Sequence, residues 1–192
     1  MAEAFTVATW NVNSLRVRLE ALKAWLQAHH PQVVCLQETK LTDDLFPEQE
    51  LQDLGYTAAF VGQKTYNGVA ILSTLPLEQV RIGFDGTDAE EQKRLIAATV
   101  AGVRVVNAYI PNGGQVGSDN WAYKLNFLER LSGYFADHER PGQRVVFVGD
   151  FNVAPEPRDV HDPIEMEGSV CFHREERLRL EVVRRWGFLD VF

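Results

Sequence analysis

The sequence is poor in cysteine and has no long apolar run. Only two of its 192 residues are cysteines, Cys35 and Cys171, and they do not form a CxxC pair, which argues against a disulfide scaffold. Cys35 lies in an apolar run and is predicted to be a buried packing residue. No apolar stretch approaches the roughly 20 residues that span a bilayer. The composition therefore predicts a reduced, cytoplasmic protein without a membrane segment, folded as one domain over residues 1–192.

The net charge and the absence of several sequence motifs argue against further classes of protein function. The formal net charge is −8, from 27 acidic and 19 basic residues, which argues mildly against nucleic-acid binding by bulk charge but leaves room for a local basic face. The excess of carboxylates also fits a protein whose acidic side chains gather around a metal. The chain has no Cys/His zinc set, no Gly-x-Ser-x-Gly elbow, no Gly-x4-Gly-Lys loop and no Gly-x-Gly-x-x-Gly fingerprint, so those enzyme and nucleotide-binding signatures are absent.

The stretch 145–152, Val-Val-Phe-Val-Gly-Asp-Phe-Asn, carries the first functional signal. The short apolar run before Gly predicts a strand buried on both faces. Strand alternation then puts Asp150 and Asn152 at the end of a sheet, on the same side of the backbone. A carboxylate beside a carboxamide suits a hard divalent cation, or a water aimed at phosphorus. An ordinary Asx turn is the alternative.

Polar groups end other predicted strands as well. The four strand ends carry Asn11, Glu38, Tyr109, and Asp150 with Asn152. Strand ends often meet in active sites, so Asn11, Glu38 and Asp150 are expected to converge at one edge of the core, although Glu38 could be a simple exposed strand end. These hard oxygen donors favour Mg²⁺ or Mn²⁺, and phosphoester hydrolysis uses such a metal to take up charge on the phosphate.

Apolar periodicity supplies the remaining elements. Helical spacing predicts helices after the N-cap candidate Ser14 and at 47–54, 121–135 and 175–186. Strands are predicted at 5–11, 33–36, 57–61, 69–73, 77–82, 95–100 and 103–109, the last two as a hairpin. Three prolines between 155 and 163 predict a stretch that cannot be regular helix. An α/β fold follows from these predictions.

Five segments in order resemble the exonuclease III family, the AP endonucleases of DNA base-excision repair within the endonuclease/exonuclease/phosphatase superfamily. They are Thr-Trp-Asn-Val-Asn-Ser-Leu-Arg at 9–16, Leu-Gln-Glu-Thr-Lys at 36–40, Tyr-Asn-Gly-Val-Ala at 66–70, Tyr-Ile-Pro-Asn-Gly at 109–113 and Gly-Asp-Phe-Asn at 149–152. The second and fourth look more like the repair nucleases than the inositol phosphatases or sphingomyelinases of the same superfamily.

The resemblance implies a fold and an activity. The implied fold is a four-layer αββα sandwich of the DNase I-like type. The implied activity is Mg²⁺-dependent (or Mn²⁺-dependent) hydrolysis of DNA, by incision 5′ to abasic sites and by 3′→5′ exonuclease action on duplexes. A monomer that binds double-stranded DNA, especially abasic or 3′-blocked DNA, is expected.

The resemblance also implies roles for the residues at the strand ends. Glu38 corresponds to the principal metal ligand with Asn11 beside it, and Asp150 and Asn152 complete the metal set. Asp150 also corresponds to the carboxylate that orients or deprotonates the attacking water, and Asn152 would hold the scissile phosphate. Tyr109 would lie near the phosphate and the leaving oxygen. Asp150 and an ionised Tyr109 both stand as candidates for activating the nucleophile.

Three further residues fall where the family contacts the DNA backbone. These are Lys40, Arg94 and Asn112. Contacts of this kind position a duplex without reading its bases. Lys40 and Arg94 have an alternative interpretation as solvated loop charges, since charged side chains are mostly exposed.

The terminal motifs of the family have no counterpart in this sequence. A Trp-rich segment, an Asp in an Arg-Ile-Asp context and a Ser-Asp-His are all missing. We therefore expect a C-terminally truncated nuclease, poorly active and marginally stable alone, because one lost charge-stabilising group costs on the order of a hundredfold in rate and missing strands expose a sheet edge. The competing hypotheses are a superfamily phosphatase acting on a small or lipid phosphoester, and a non-catalytic remnant that binds DNA or a partner.

Overall fold

Residues 5–86 and 91–191 are described by the computed structural model, and their contacts divide into two units. The first unit contains the chain up to Tyr109 together with Arg144–Asp150. The second contains Ile110–Gln143 and the chain from Phe151 onward. The single domain over residues 1–192 stays a prediction.

Four strands of the first unit form one mixed sheet, sheet A. The strands are β1 (Val7–Asn11), β2 (Val33–Gln37), β3 (Thr57–Val61) and β4 (Val69–Ser73). Their order in the sheet is β1-β2-β4-β3, with β1 and β2 parallel and the other pairs antiparallel. The parallel pair is joined by helix α1 (Leu15–His29), as a crossover between parallel strands requires. A short helix α2 (Glu48–Gln52) precedes β3.

The other four strands of the first unit form sheet B. They are β5 (Glu78–Ile82), β6 (Leu95–Val100), β7 (Val103–Tyr109) and β8 (Val145–Asp150). The order is β5-β6-β7-β8, with the predicted β6-β7 hairpin present and β7-β8 parallel. The register pairs Tyr109 with Asp150. Two residues implied to act at the site are therefore neighbours at one end of sheet B.

The core of the first unit has two layers, and strand alternation separates them. Val34 and Leu36 of β2 pack with Leu22 and Leu26 of α1 and the other residues of that layer. Their neighbours Val33 and Cys35 belong to the second layer, which contains residues from both sheets. Every residue of β2 is therefore buried, and the prediction that Cys35 is a buried packing residue is confirmed.

A buried polar bridge crosses from sheet B to sheet A. Asn107 of β7 donates to the main-chain carbonyls of Leu36 (2.9 Å) and Ala70 (3.0 Å). Its Oδ1 accepts from Gln37 Nε2 (2.7 Å), which also donates to Thr9 Oγ1. Asn107 and Gln37 are both buried. Because Gln37 is followed directly by Glu38, this bridge fixes sheet A against sheet B next to Glu38, a residue of the candidate site.

The second unit is helical. Its helices are α3 (Asp119–His138), α4 (Pro163–Met166) and α5 (Arg174–Arg185). Helix α3 begins where Ser118 Oγ accepts a hydrogen bond from the amide of Trp121, and Phe135 of α3 packs against Trp186 and Phe188 after α5. No helix within the described residues is long and apolar enough to cross a membrane.

Three sequence predictions were wrong in detail. β8 is the last strand of sheet B, and all six of its residues are half-buried rather than buried on both faces. Ser14 precedes α1 with a φ of 91° and its side chain makes no capping hydrogen bond. Pro163 starts the four-residue helix α4 in the stretch predicted to exclude helix, because proline at the first helical position has no N–H to satisfy.

Candidate active site

Two carboxylates in the first unit are joined by a single amide. Asn11 Nδ2 donates to Glu38 Oε1 (2.8 Å) and to Asp150 Oδ2 (2.7 Å). Asn11 Oδ1 accepts from the amide of Asn13 (3.0 Å), which fixes the orientation of the carboxamide. Asn11 ends β1, Glu38 follows β2 and Asp150 ends β8. The structure thus brings together the three residues that were expected to converge.

Glu38 is held in its charged form. Its backbone has a φ of 54°, a left-handed conformation that costs a non-glycine residue energy and is concentrated at functional sites. Burial by itself would raise the pKa of Glu38, but hydrogen bonds from Asn11, Lys40 and Tyr109 together lower it below its ordinary value. Lys40 Nζ lies 2.8 Å from Glu38 Oε2 and also contacts Asn13. A role for Lys40 in contacting DNA stays a prediction.

Tyr109 is oriented by Arg94 and hydrogen-bonded to Glu38. The guanidinium of Arg94 lies 4.3 Å from the centre of the Tyr109 ring and donates to the Tyr109 carbonyl at 3.2 Å. Burial, and then the hydrogen bond with Glu38, raise the pKa of Tyr109 to about 12. The phenol is therefore protonated at neutral pH in the metal-free protein. The Arg94 contact with DNA stays a prediction.

We expect this titration to be visible in the metal-free protein. Comparing the alkaline ultraviolet titration of the parent with that of Tyr109→Phe should show one phenol with a pKa of about 12. Because the ordinary value is 10.0, ionisation then favours the unfolded chain, and the stability of the fold should fall as the pH rises from about 10 towards 12. If the phenol that Tyr109→Phe removes instead titrates at the ordinary value, the buried environment described for Tyr109 is contradicted.

Two predicted phosphate contacts lie together in the second unit. Asn112 Nδ2 donates to Asn152 Oδ1 at 3.4 Å, and Asn152 Nδ2 donates to the carbonyl of Ile110 at 3.0 Å. Strand β8 ends at Asp150, and Asn152 has a φ of 47°, so strand alternation does not extend to Asn152. Both asparagines therefore lie on loops, which are tied together by the hydrogen bond between the two carboxamides and by the one from Asn152 to the Ile110 carbonyl.

Sequence reasoning missed the contacts made by Lys124. Its Nζ donates to the carbonyls of Asn112 (3.0 Å) and Asn152 (2.6 Å) and forms an ion pair with Glu176 at 3.0 Å. A signal was available, because Lys124 is three residues after Trp121 and four before Leu128, within the apolar stripe of α3. A lysine in that position is either paired or a misplaced charge.

The donor set in the first unit fits a hard divalent cation. Glu38 and Asp150 offer carboxylate oxygens, while Asn11 turns its Nδ2 towards them and its Oδ1 towards the amide of Asn13. Magnesium is usually held by one or two carboxylates together with waters and substrate phosphates. Among the described residues, no three His, Cys, Asp or Glu side chains form a group of the kind that encloses a metal, so a closed transition-metal site is not indicated there. Asn152, the fourth predicted ligand, belongs to the second unit.

Residues 8–186 match the Endonuclease/Exonuclease/phosphatase family. Exodeoxyribonuclease III of Haemophilus influenzae is 29% identical, over 96% of this chain and 73% of its own length. An AP endonuclease structure from Archaeoglobus fulgidus gives a TM-score of 0.93 at 39% identity, covering 98% of this chain and 73% of that one. The Neisseria 3′ phosphatase NExo, bound to product DNA hairpin, gives 0.90 at 37% identity, covering 96% and 72%.

These matches confirm two sequence predictions. The resemblance to exonuclease III and the AP endonucleases extends over nearly the whole chain. The fold class is also confirmed, since two mixed sheets with flanking helices match the DNase I-like fold of the AP endonucleases. The chain spans about 73% of the length of these relatives.

Proposed function

The chain belongs to the endonuclease/exonuclease/phosphatase family, and from that premise we propose that it is a Mg²⁺-dependent phosphodiesterase that acts on double-stranded DNA. Incision 5′ to abasic sites and 3′→5′ removal of nucleotides, including at blocked 3′ ends, are the proposed reactions. Relatives named for exonuclease and AP endonuclease activity support this choice over other hydrolases of the family.

The observation that carries the proposal is the joining of Glu38 and Asp150 by Asn11. Two carboxylates that share one neutral amide donor repel each other. We propose that Glu38, Asp150 and Asn11, with Asn152 from the following loop, hold the metal. When bound, Mg²⁺ (or Mn²⁺) would neutralise charge that develops on the phosphate oxygens.

Asp150 is the better candidate for activating water. Burial and the hydrogen bond with Glu38 raise the pKa of Tyr109 in the metal-free protein, so in that state its phenol can donate a hydrogen bond. We assign the role of orienting or deprotonating water to Asp150, because its carboxylate lies beside Glu38, both held by the amide of Asn11, and a carboxylate placed within reach of a water can serve as a general base. Arg94, stacked on its ring, keeps Tyr109 beside Glu38.

Binding of the phosphate and the duplex is assigned to polar groups outside this pair. The carboxamides of Asn152 and Asn112 can donate to phosphate oxygens, and a hydrogen bond between them keeps the two side chains together. Lys40 and Arg94 would add charge-assisted contacts to the backbone. Action as a monomer belongs to the same proposal. So does a cytoplasmic location, because a reducing compartment preserves the free thiols of Cys35 and Cys171.

The test is cleavage of an end-labelled duplex with one abasic site, with Mg²⁺ and with EDTA. We expect cleavage 5′ to the site only with Mg²⁺. A duplex with a recessed 3′ phosphate, assayed in parallel, reports on the second reaction. Hydrolysis of inositol phosphates without DNA cleavage would favour a small-molecule phosphatase. Duplex binding without cleavage by a folded sample would identify a non-catalytic DNA-binding protein, and either result would contradict the proposal.

A further inference from the structure

The ammonium of Lys124 uses all of its donors inside the second unit. The side chain has no exposed surface. Its Nζ donates to the carbonyl of Asn112 at 3.0 Å, to that of Asn152 at 2.6 Å and to Glu176 Oε1 at 3.0 Å. An ammonium has three N–H groups, so these acceptors match it one to one. Cys171 Sγ is a fourth, more distant neighbour of Nζ, at 3.7 Å.

We propose that Lys124 and Glu176 are positioning residues that fix the loops presenting Asn112 and Asn152 to a DNA phosphate, an inference that rests on the function proposed above. One ammonium holds the main chain of both loops at the residues whose side chains would bind the phosphate. Lys124 does not touch the substrate, because its charge is buried among its own acceptors. It acts through the two asparagines.

The packing around Lys124 fits a fixed position. Gly113, the residue after Asn112, has a φ of +94°, and a Cβ there would lie 3.0 Å from Lys124 Cδ and 3.4 Å from Trp121 Cδ1. The loop therefore passes directly against the stem of the lysine. A glycine is needed at that point for its left-handed backbone and for the close approach.

Glu176 forms an ion pair with the buried ammonium of Lys124. The carboxylate has no exposed surface, and its Oε1 accepts from both Lys124 and the indole Nε1 of Trp121 (3.1 Å). Its Oε2 is buried without a hydrogen-bond partner among the described residues. A buried pair left partly unsatisfied contributes little to stability, and apolar replacements of both members are often neutral or stabilising. The stability of the fold alone therefore does not explain why Lys124 and Glu176 form this buried pair. The alignment of the Asn112 and Asn152 carbonyls by Lys124 does explain it.

The decisive variant replaces both charges at once, as Lys124→Met with Glu176→Leu. Removing both avoids the uncompensated charge that either single change would leave. The carbonyls of Asn112 and Asn152 and the indole N–H of Trp121 lose a partner, so the double variant should still melt cooperatively, but below the parent. We nevertheless expect kcat for the abasic duplex to fall by about 10- to 100-fold, because misplacement of binding groups by about 1 Å costs on that order. The Kd for the duplex in EDTA should change little.

A matched control removes an ion pair from the surface of the same unit. Arg177 contacts Glu167 at 2.7 Å on a partly exposed surface, and replacing both by Gln should leave kcat at the parental value. A stable Lys124/Glu176 double variant with parental kcat would overturn the inference. Should that variant fail to fold, Lys124→Gln with Glu176→Gln removes both charges, keeps an acceptor for Trp121 and serves the same comparison of kcat with Kd.

A readout without catalysis separates this inference from the proposed function. The backbone amide NMR signals of 112–114 and 152–154 should shift or broaden in the double variant, while those of sheet A stay in place. Unchanged loop signals would overturn the positioning role. A parent chain that does not cleave DNA contradicts only the proposed function, because the loop signals still report on Lys124.

Discussion

Replacing Asp150 by Asn is expected to lower the rate of Mg²⁺-dependent cleavage of an abasic duplex by on the order of a thousandfold. The change keeps the size of the side chain but removes the charge that Asn11 holds beside Glu38. An amide cannot take the proton of an attacking water, and it is a weaker ligand for a hard cation. The measurement is single-turnover cleavage at saturating enzyme and Mg²⁺.

A control for this variant comes from a partly exposed carboxylate in the second unit. Glu181 pairs with Arg184 and Arg185 on the surface of α5, and Glu181→Gln should cleave at the parental rate. The melting temperature of Asp150→Asn should stay close to that of the parent, because the residue ends the last strand of sheet B and is half-buried. Retention of more than about a tenth of the parental rate would remove Asp150 from the chemistry, since loss of an essential group costs far more.

Replacing Asn107 by Leu is expected to lower the free energy of unfolding by about 2–5 kcal/mol. The amide satisfies two carbonyls of sheet A, those of Leu36 and Ala70, and accepts from Gln37. Leucine would remove a hydrogen-bond partner from both buried carbonyls and from Gln37, which keeps its contact with Thr9, and a half-satisfied polar cluster is worse than an apolar one. Urea denaturation at equilibrium, followed by far-ultraviolet circular dichroism, measures the change.

Gln52→Leu is the matched control for Asn107→Leu, because Gln52 is an exposed amide on α2, and its replacement should alter the free energy of unfolding by at most about 0.5 kcal/mol. A loss below about 1 kcal/mol for Asn107→Leu would mean that the buried carbonyls find other partners. We also expect weaker Mg²⁺ binding by the Asn107 variant, since Gln37 directly precedes Glu38.

Most of the strands could be predicted from local sequence. The observed strands 57–61, 69–73, 95–100 and 103–109 have the predicted limits. Runs of β-branched and apolar residues between turn residues carry that information. The burial of β8 could not be predicted in the same way, because an apolar run looks alike in a central strand and at the end of a sheet. The tertiary fold decides whether a given strand lies in the middle of its sheet or at the edge.

The candidate site was predictable where it depends on strand ends. Asn11, Glu38 and Asp150 follow apolar strands, and the fold brings such ends together. The supporting groups were not predictable, because their partners lie far away in sequence. Asn107 meets carbonyls 71 and 37 residues away, and Lys124 meets Glu176 across 52 residues. Periodicity alone indicates that such a residue is buried and does not identify what satisfies it.

Mn²⁺ binding followed by electron paramagnetic resonance tests most directly whether Glu38 and Asp150 hold a divalent cation. The metal-free parent should bind Mn²⁺ at a site from which Mg²⁺ displaces it. Glu38→Gln and Asp150→Asn should each weaken that site by at least about tenfold, whereas Glu181→Gln should leave it unchanged. Equal Mn²⁺ affinity in the parent and in both site variants would contradict this role for Glu38 and Asp150.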